Sequence, residues 1–345
     1  MNLLDVETYS IEPDNYTVID VRTAAEYWDG SIPGSINVPV FNAEERQRIG
    51  KVYKRSPRAA KFVALDILAP KLSKFLRRIH GFSRGRTPLI VCWRGGMRSR
   101  ATVDLLRMAG VPALQLAGGY RAYRRHIHNA LEQFQLKPQL IVLKGKSGTG
   151  KTELIKELQS MGIPTLDLEG FAQHRGSAFG GFCRQQPRSQ KTFDALLYNA
   201  LNEHNHARFL IVEGESKRIG NIYLPDFFYL AMKKAPVIEV NCKLEIRIQR
   251  IVAEYAPKTH QEEEHLGRAL ERLQPKLGHD VHKLIKQYLD AGNYFEFVKQ
   301  VLVQYYDKIY DFQLPGKEVI GAVDSGEIKK AATEIAALVH TIYAD

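Results

Sequence analysis

The stretch QLIVLKGKSGTGKTELIKELQSMG (139–162) decides how the chain is read. An apolar run, Leu140 to Leu143, passes into a glycine-rich turn. The turn passes into a segment whose Leu154, Ile155 and Leu158 recur at helical spacing. Gly145, Gly150, Lys151 and Thr152 meet the pattern G-x-x-x-x-G-K-[ST] without a gap, in the strand–loop–helix setting that a phosphate-cradling loop needs. Glycines let the backbone curl so that its N–H groups face phosphate oxygens, and the helix adds its positive end. The expected ligands are Gly145, Lys146, Ser147, Gly148, Thr149, Gly150, Lys151 and Thr152. Lys151 neutralises charge during catalysis, and Thr152 holds a magnesium ion. The loop specifies a di- or triphosphate without saying which one.

Outward from this loop, IPTLDLEG, RFLIVEGES and APVIEVNC read as further strands of the same unit. From about Leu244 the chain reads as helices to its end. Glu213 and Glu215, closing FLIVEGES (209–216), are the acidic candidates for metal or substrate. Arg247 and Arg250 in EIRIQRIVAEY (245–255) have two readings, phosphate contacts or, more simply, a solvated helix face. GNYFEFVKQVLVQYYDKIY (292–310) carries aromatics at helical spacing, read as core packing.

Upstream, TVIDV (17–21), TPLIVCW (87–93) and ALQLAGG (113–119) read as strands. They alternate with helical AEERQRIGKVYK, ILAPKLSKFLRRIH and SRATVDLLRMAG. Alternation of this kind implies a parallel, doubly wound sheet. A polar helix in RRHIHNALEQFQLKP (124–138) ends before Pro138, and the boundary is placed there: one α/β domain over 1–130 and a second over 138–345 with a helical C-terminal part. The 345 residues suit two cores. Net charge is +11, an excess that points to a polyanionic partner or to a merely basic surface. Three cysteines, Cys92, Cys183 and Cys242, form no disulfide framework. MNLLDVETYS lacks a basic start and an apolar core, and no long apolar run follows, so the expectation is a cytoplasmic protein with no membrane partner. Cys242 reads as core, Cys183 as an incidental thiol, and the spacing of His and Cys indicates no zinc site.

The second chemical feature is VCWRGGMRSR (91–100). Cys92 closes a strand and a helix begins near Ser99. Loop N–H groups, the helix dipole, Arg94 and Arg98 all favour a thiolate, which makes Cys92 a candidate nucleophile in an anion-binding loop. Cys92, Arg94, Arg98 and Lys151 are the catalytic candidates. The loop spans C-x-x-x-x-x-R, a length used by cysteine-dependent phosphatases. A phosphatase fused to a kinase-like domain therefore stays open on the residues alone, as does a non-catalytic tRNA-binding ATPase.

VIDVRTAAEYWDGSIPGSINVPV (18–40), with Asp20, Arg22, Glu26 and the IPGSINVP turn, resembles a rhodanese domain, whose usual loop, C-x-x-G-x-R, is one residue shorter. That domain with CWRGGMRS, fused to one with GKSGTGKT, resembles the tRNA 2-selenouridine synthase family. EERQRIGKVYK, HRGSAFGGF (174–182), PRSQKTFDALL, VEGESKRIG (212–220) and QYYDKIYD (304–311) extend the likeness over nearly the whole chain. The resemblance implies an enzyme that converts wobble 2-thiouridine in tRNA to 2-selenouridine. It would work through an S-geranyl intermediate, using geranyl diphosphate and selenophosphate, with Mg2+ as a possible cofactor and a selenophosphate-supplying enzyme as a partner. It implies that the phosphate loop holds the geranyl diphosphate. Trp93, Gly95, Gly96, Met97, Arg98 and Ser99 would hold selenophosphate beside Cys92. GYRAYRRHIH (119–128) and QHRGSAFGGFCRQQPRSQK (173–191) mix arginines with aromatics or glycines. Arg121, Arg124, Arg125, Arg175, Arg184 and Arg188 are therefore the tRNA-binding candidates.

Overall fold

The computed structural model describes residues 2–83, 85–174, 187–257, 259–311 and 318–343. They form two compact units: Met1–Phe134 with Arg188–Tyr198, and Gln135–Pro187 with Asn199–Asp345. Both are built on parallel sheets, the expected α/β class. Cys183, Arg175 and Arg184 lie outside the described residues.

The first unit has five parallel strands: β1 (Leu3–Leu4), β2 (Tyr16–Asp20), β3 (Ile36–Asn37), β4 (Thr87–Val91) and β5 (Leu114–Leu116), in the order β1-β5-β4-β2-β3. Leu89, Ile90 and Val91 are wholly buried, as expected of a central strand covered on both faces. Helix Leu72–Ser83 buries Phe75 and Ile79, and helix Met97–Met108 buries Val103 and Leu106 into the same core. The two-residue strands β1 and β3 are too short for any periodicity, which is why sequence patterning did not reveal them. The central position of β4 fixes the site: in an open parallel sheet, ligands gather beyond the carboxyl ends of the strands, and Cys92 is the first residue past that end.

The second unit has β6 (Gln139–Lys144), β7 (Thr165–Leu166), β8 (Phe209–Glu213), a small hairpin β9 (Arg218–Ile219) and β10 (Ile222–Tyr223), β11 (Val237–Asn241) and β12 (Val319–Asp324). Its main sheet runs β12-β11-β6-β8-β7, all parallel. β12 corrects the reading of the chain beyond Leu244 as wholly helical. VIGAVD is exposed at Val319 and paired on one side only, so an edge strand there leaves little apolar signal. Helices Lys151–Ser160 and Ile328–Ile342 share one core with β6, β8 and β11 through Leu154, Leu158, Ile335 and Val339. Helices Leu244–Tyr255, His260–Leu277, His279–Asp290 and Tyr294–Val301 bury a separate cluster of Ile248, Leu266, Leu270, Ile285 and Phe297. The last of them continues through a π-helical turn, Leu302–Tyr306, into Asp307–Asp311.

Candidate functional site

Cys92 sits in a loop held from every side. Its Sγ accepts the Gly96 N–H at 3.2 Å and lies 3.0 Å from Ser99 Oγ, and the residue is 2% exposed. Gln115, on β5, donates to the Gly95 carbonyl at 2.7 Å and to Ser99 Oγ at 2.9 Å. Tyr120 N–H and Arg121 N–H donate to the carbonyls of Cys92 and Trp93. That last pair needs the helix Gly119–Glu132 to begin against the loop, and Gly119 permits it. It has φ +60°, and a Cβ there would lie 2.2 Å from the Cys92 carbonyl oxygen.

The DVR stretch supports the loop from beneath. Arg22 is fully buried, chelated by Asp20 and donating to the Gly30 carbonyl at 2.7 Å. Its guanidinium lies 4.2 Å from the centre of the Tyr120 ring and 5.8 Å from that of Trp93. Arg98 is ion-paired rather than open. Nη1 and Nη2 reach Glu26 Oε2 and Oε1 at 2.8 and 3.1 Å. Burial opposes both charges, but the paired geometry prevails. Arg98 is held above its ordinary pKa by Glu26, with Cys92 and Asp20 adding to the effect, and Glu26 is pulled down to about 2 by Arg98 and Thr23. Arg94, Gly96 and Met97 are exposed, while Trp93 and Gly95 are half-buried.

In the phosphate loop the carbonyls are tied back. The Ser147 carbonyl accepts from Arg247 Nε at 2.8 Å. The Thr149 carbonyl accepts from Arg250 Nη1 at 3.0 Å and from Ser325 Oγ at 2.6 Å. The Lys146 carbonyl accepts from Thr149 Oγ1. Tying these carbonyls back fixes the curl of the loop, in which the Thr149 N–H also donates to the Lys146 carbonyl at 3.3 Å. Arg247 and Arg250 are thus neither a solvated face nor bare phosphate ligands. Arg247 is buried and paired with Asp307 at 2.6 Å, and Arg250 also holds the Ser325 carbonyl. Lys146 Nζ lies 3.9 Å from Asp307. Lys151 Nζ donates to the Gly145 carbonyl at 2.8 Å.

Glu213 ends β8, beside the strand that feeds the loop. It is buried, accepts the Glu169 N–H at 3.2 Å, and leaves Oε1 without a partner among the described residues. Burial, then the charges of Glu169, Asp167 and Glu215, push its pKa well up. Burial and Glu169 raise Glu215 to about 7 against the pull of Lys151. Thr152 Oγ1 donates to Glu169 Oε2 at 3.4 Å. Sequence reasoning missed Glu169, although IPTLDLEG placed it just past a strand end, as FLIVEGES placed Glu213. Gln115 and Ser325 carried no signal at all.

A cavity of about 550 Å³ opens from this loop. One end is polar, with Gly145, Lys151, Thr152, Glu169 and Glu215. The other is apolar, with Ile251, Leu266, Phe297, Val298, Val301 and Leu302. The π-helical turn brings Leu302, Tyr305 and Tyr306 to the same wall, so part of the stretch read as core packing lines a site. Among the tRNA candidates, Arg121 and Arg125 are exposed, Arg124 is paired with Asp194 at 2.7 Å, and Arg188 is half-buried. Cys242 is half-buried with Arg250 Nη1 3.7 Å from its Sγ, not a core residue. Among the described residues, no helix is long and apolar enough to cross a membrane.

Comparison with known proteins agrees with this layout. The profile of the tRNA 2-selenouridine synthase AAA domain matches residues 138–339, and that of the rhodanese-like domain matches residues 8–126. The tRNA 2-selenouridine synthase of Psychromonas ingrahamii is 32% identical over 327 residues, covering 87% of this chain and 88% of that one. The protein of the same name from Nitrosomonas europaea is 36% identical over 247 residues, 69% of this chain and 63% of its own. That of Sulfurovum sp. is 31% identical over 340 residues, with shares of 88% and 90%.

Proposed function

The chain belongs to the tRNA 2-selenouridine synthase family, and from that membership we propose a division of chemistry between its two loops. It is an enzyme of tRNA modification that places selenium on the wobble uridine. The finer reading is that the phosphate-loop unit transfers a geranyl group from geranyl diphosphate to the sulfur of 2-thiouridine. The Cys92 loop then serves replacement of that geranylthio group with selenium from selenophosphate.

The observation that carries the first half is the two-ended cavity. A diphosphate head fits the loop amides and Lys151, and a chain of two isoprene units fits the apolar wall of Phe297, Val298 and Val301. The sulfur attacks the allylic carbon, the carbon–oxygen bond breaks, the N3 proton of the base passes to the leaving diphosphate or to water, and the diphosphate leaves with its charge met by Lys151 and the amides. A magnesium ion fits here, because Glu213 has an orphaned buried oxygen and Thr152 and Glu169 already approach one another. Thr152, Glu169 and Glu213 would hold it, and it would add Lewis-acid neutralisation of the leaving group.

For the second half, selenium in selenophosphate is already at the selenide level, so no oxidant is required. Selenium bonds to C2 of the base, geranylthiol leaves, and water takes the phosphoryl group to phosphate. On this reading Sγ of Cys92, hydrogen-bonded by Gly96 N–H and 3.0 Å from Ser99 Oγ, accepts the phosphoryl group as the phosphorus–selenium bond breaks, and water then cleaves the phosphorus–sulfur bond to release phosphate and the free thiol. Arg94, Arg98 and the amides from Trp93 to Ser99 would hold its oxygens. The released phosphoryl group is one reason for a loop of this length.

The test is a double dissociation, read by mass spectrometry of the wobble nucleoside. Lys151→Ala should lose geranyl transfer yet still convert pre-geranylated tRNA. Cys92→Ser should geranylate and then stop. Geranyl transfer by the Lys151 variant at the wild-type rate, or full selenation by the Cys92 variant, would remove the corresponding half. Use of ATP in place of geranyl diphosphate would favour the ATPase reading.

A further inference from the structure

Helices Ala43–Arg55 and Pro57–Leu68 pack side by side, joined through Ser56, which caps the second. Between residues 46 and 61 the chain places seven Lys and Arg and no Asp or Glu. All seven are exposed, and none makes an ion pair among the described residues. The nearby Glu45 is already engaged, in the capping box with Asn42 and in a salt bridge to Lys71. The first helix buries no residue at all.

A surface helix of a globular domain ordinarily earns its place by an apolar stripe. This one packs the half-buried Ile49 against the core and carries Arg48, Lys51 and Arg55 at i, i+3 and i+7, on one face, with Lys54 beside them. Cations in the last turn are explained in part by the helix dipole, but Arg48 and Lys51 lie too far from that end for the effect to reach. Like charges on one face repel unless a polyanion meets them. Exposed Tyr53 and Phe62 offer stacking surfaces on the same pair of helices. We infer that this helical pair is a tRNA-docking surface, with Arg48, Lys51 and Arg55 contacting the phosphate backbone. The inference rests on the reading that the chain acts on tRNA. It assigns a site other than the arginines of 119–128.

The experiment uses the full chain. Binding of an unmodified tRNA transcript is measured across a salt series for the wild type, for Arg48→Ala/Lys51→Ala/Arg55→Ala, and for Lys233→Ala/Lys234→Ala/Lys329→Ala. The last set removes the same charge from exposed positions of the other unit. All substituted positions are exposed, and matching unfolding midpoints check the fold. The first triple variant should bind at least about tenfold more weakly, with a log–log salt slope shallower by about 2 to 3, while the second stays near wild type. Equal losses in both variants, or no loss in the first, would overturn the placement while leaving the tRNA reading intact. A wild type that fails to bind tRNA at low salt would sink both. A parallel arm with anionic phospholipid vesicles separates the rival source of phosphate. If the first variant lost vesicle binding but not tRNA binding, the surface would belong to a membrane and the inference would be wrong.

Discussion

Glu26 and Arg98, 72 residues apart in sequence, form a two-pronged ion pair at 2.8 and 3.1 Å, and that pair ties the helix after β2 to the helix after the Cys92 loop. Glu26 also closes a capping box with Thr23, so one carboxylate anchors both a helix start and the active loop's arginine.

This pair gives the unit an acid-sensitive joint. The carboxyl falls from its ordinary 4.5 to about 2 in the fold, so its contribution is fully present above about pH 4.5. It is lost as the pH falls through about 2. Because the pair is partly exposed, screening leaves about 1 kcal/mol. Urea unfolding should find Glu26→Gln less stable than wild type by that amount at pH 6, with the gap shrinking at pH 3 and below. A constant gap across the series would mean that the charge is not what Glu26 contributes.

Gly119→Ala should damage selenation selectively. The added Cβ would meet the Cys92 carbonyl oxygen at 2.2 Å and the Gly95 nitrogen at 2.4 Å, at a backbone φ of +60° that favours glycine. The loop must move, at a cost of about 2–4 kcal/mol in stability. A displacement of this kind costs about a hundredfold in rate where reacting atoms must be aligned. Selenation of pre-geranylated tRNA should fall by that order while geranyl transfer is unchanged. An equal fall in both steps would point to a general folding defect.

Legibility in the sequence followed the length and chemistry of each signal. The Gly145–Thr152 loop and the strand before Cys92 were plain because backbone geometry there demands particular residues in a fixed order. β1, β3 and β12 were not, because two residues or a half-exposed edge carry no period. Arg247 looked like a surface residue because its helix pattern alone cannot reveal Asp307, 60 residues on, or the Ser147 carbonyl that it holds. Glu169 lay in IPTLDLEG, read as a strand throughout, whereas only Thr165–Leu166 is strand and Glu169 sits in the first turn of the helix Leu168–Ala172; the parallel pairing of β7 with β8 and β8 with β6 brings it to Thr152. The apolar wall of the cavity showed the opposite problem. Its aromatics had a helical period that core packing explained equally well.

Glu215 carries the opposite pH signature to Glu26. Its pKa rises from 4.5 to about 7 in the fold, chiefly through burial and then Glu169. The folded protein therefore holds its proton more tightly than the unfolded chain between those values, and stability falls as the pH rises from about 4.5 to about 7. Glu215→Gln removes that loss. The variant should match wild type at pH 4 and exceed it at pH 8 in the same unfolding assay. A variant weaker than wild type at pH 8 would show that the ionised carboxylate is stabilised there and contradict the crowded acidic setting.

The cavity itself makes the sharpest demand on the geranyl reading. Val301 is buried and lines the apolar end, while Lys151 lines the polar end. Val301→Trp fills space that the second isoprene unit would use and leaves the diphosphate cradle alone. Overfilling of a packed wall costs about 1–3 kcal/mol, so kcat/KM for geranyl diphosphate should drop by roughly tenfold to a hundredfold. Dimethylallyl diphosphate, one isoprene unit shorter, should be affected less, and binding of inorganic pyrophosphate not at all. Val301→Ala deepens the same wall and should shift preference toward longer chains. A nucleotide ligand would give no dependence on prenyl length. Parallel losses for both prenyl donors in the Trp variant, with pyrophosphate binding intact, would place the tail elsewhere than this wall.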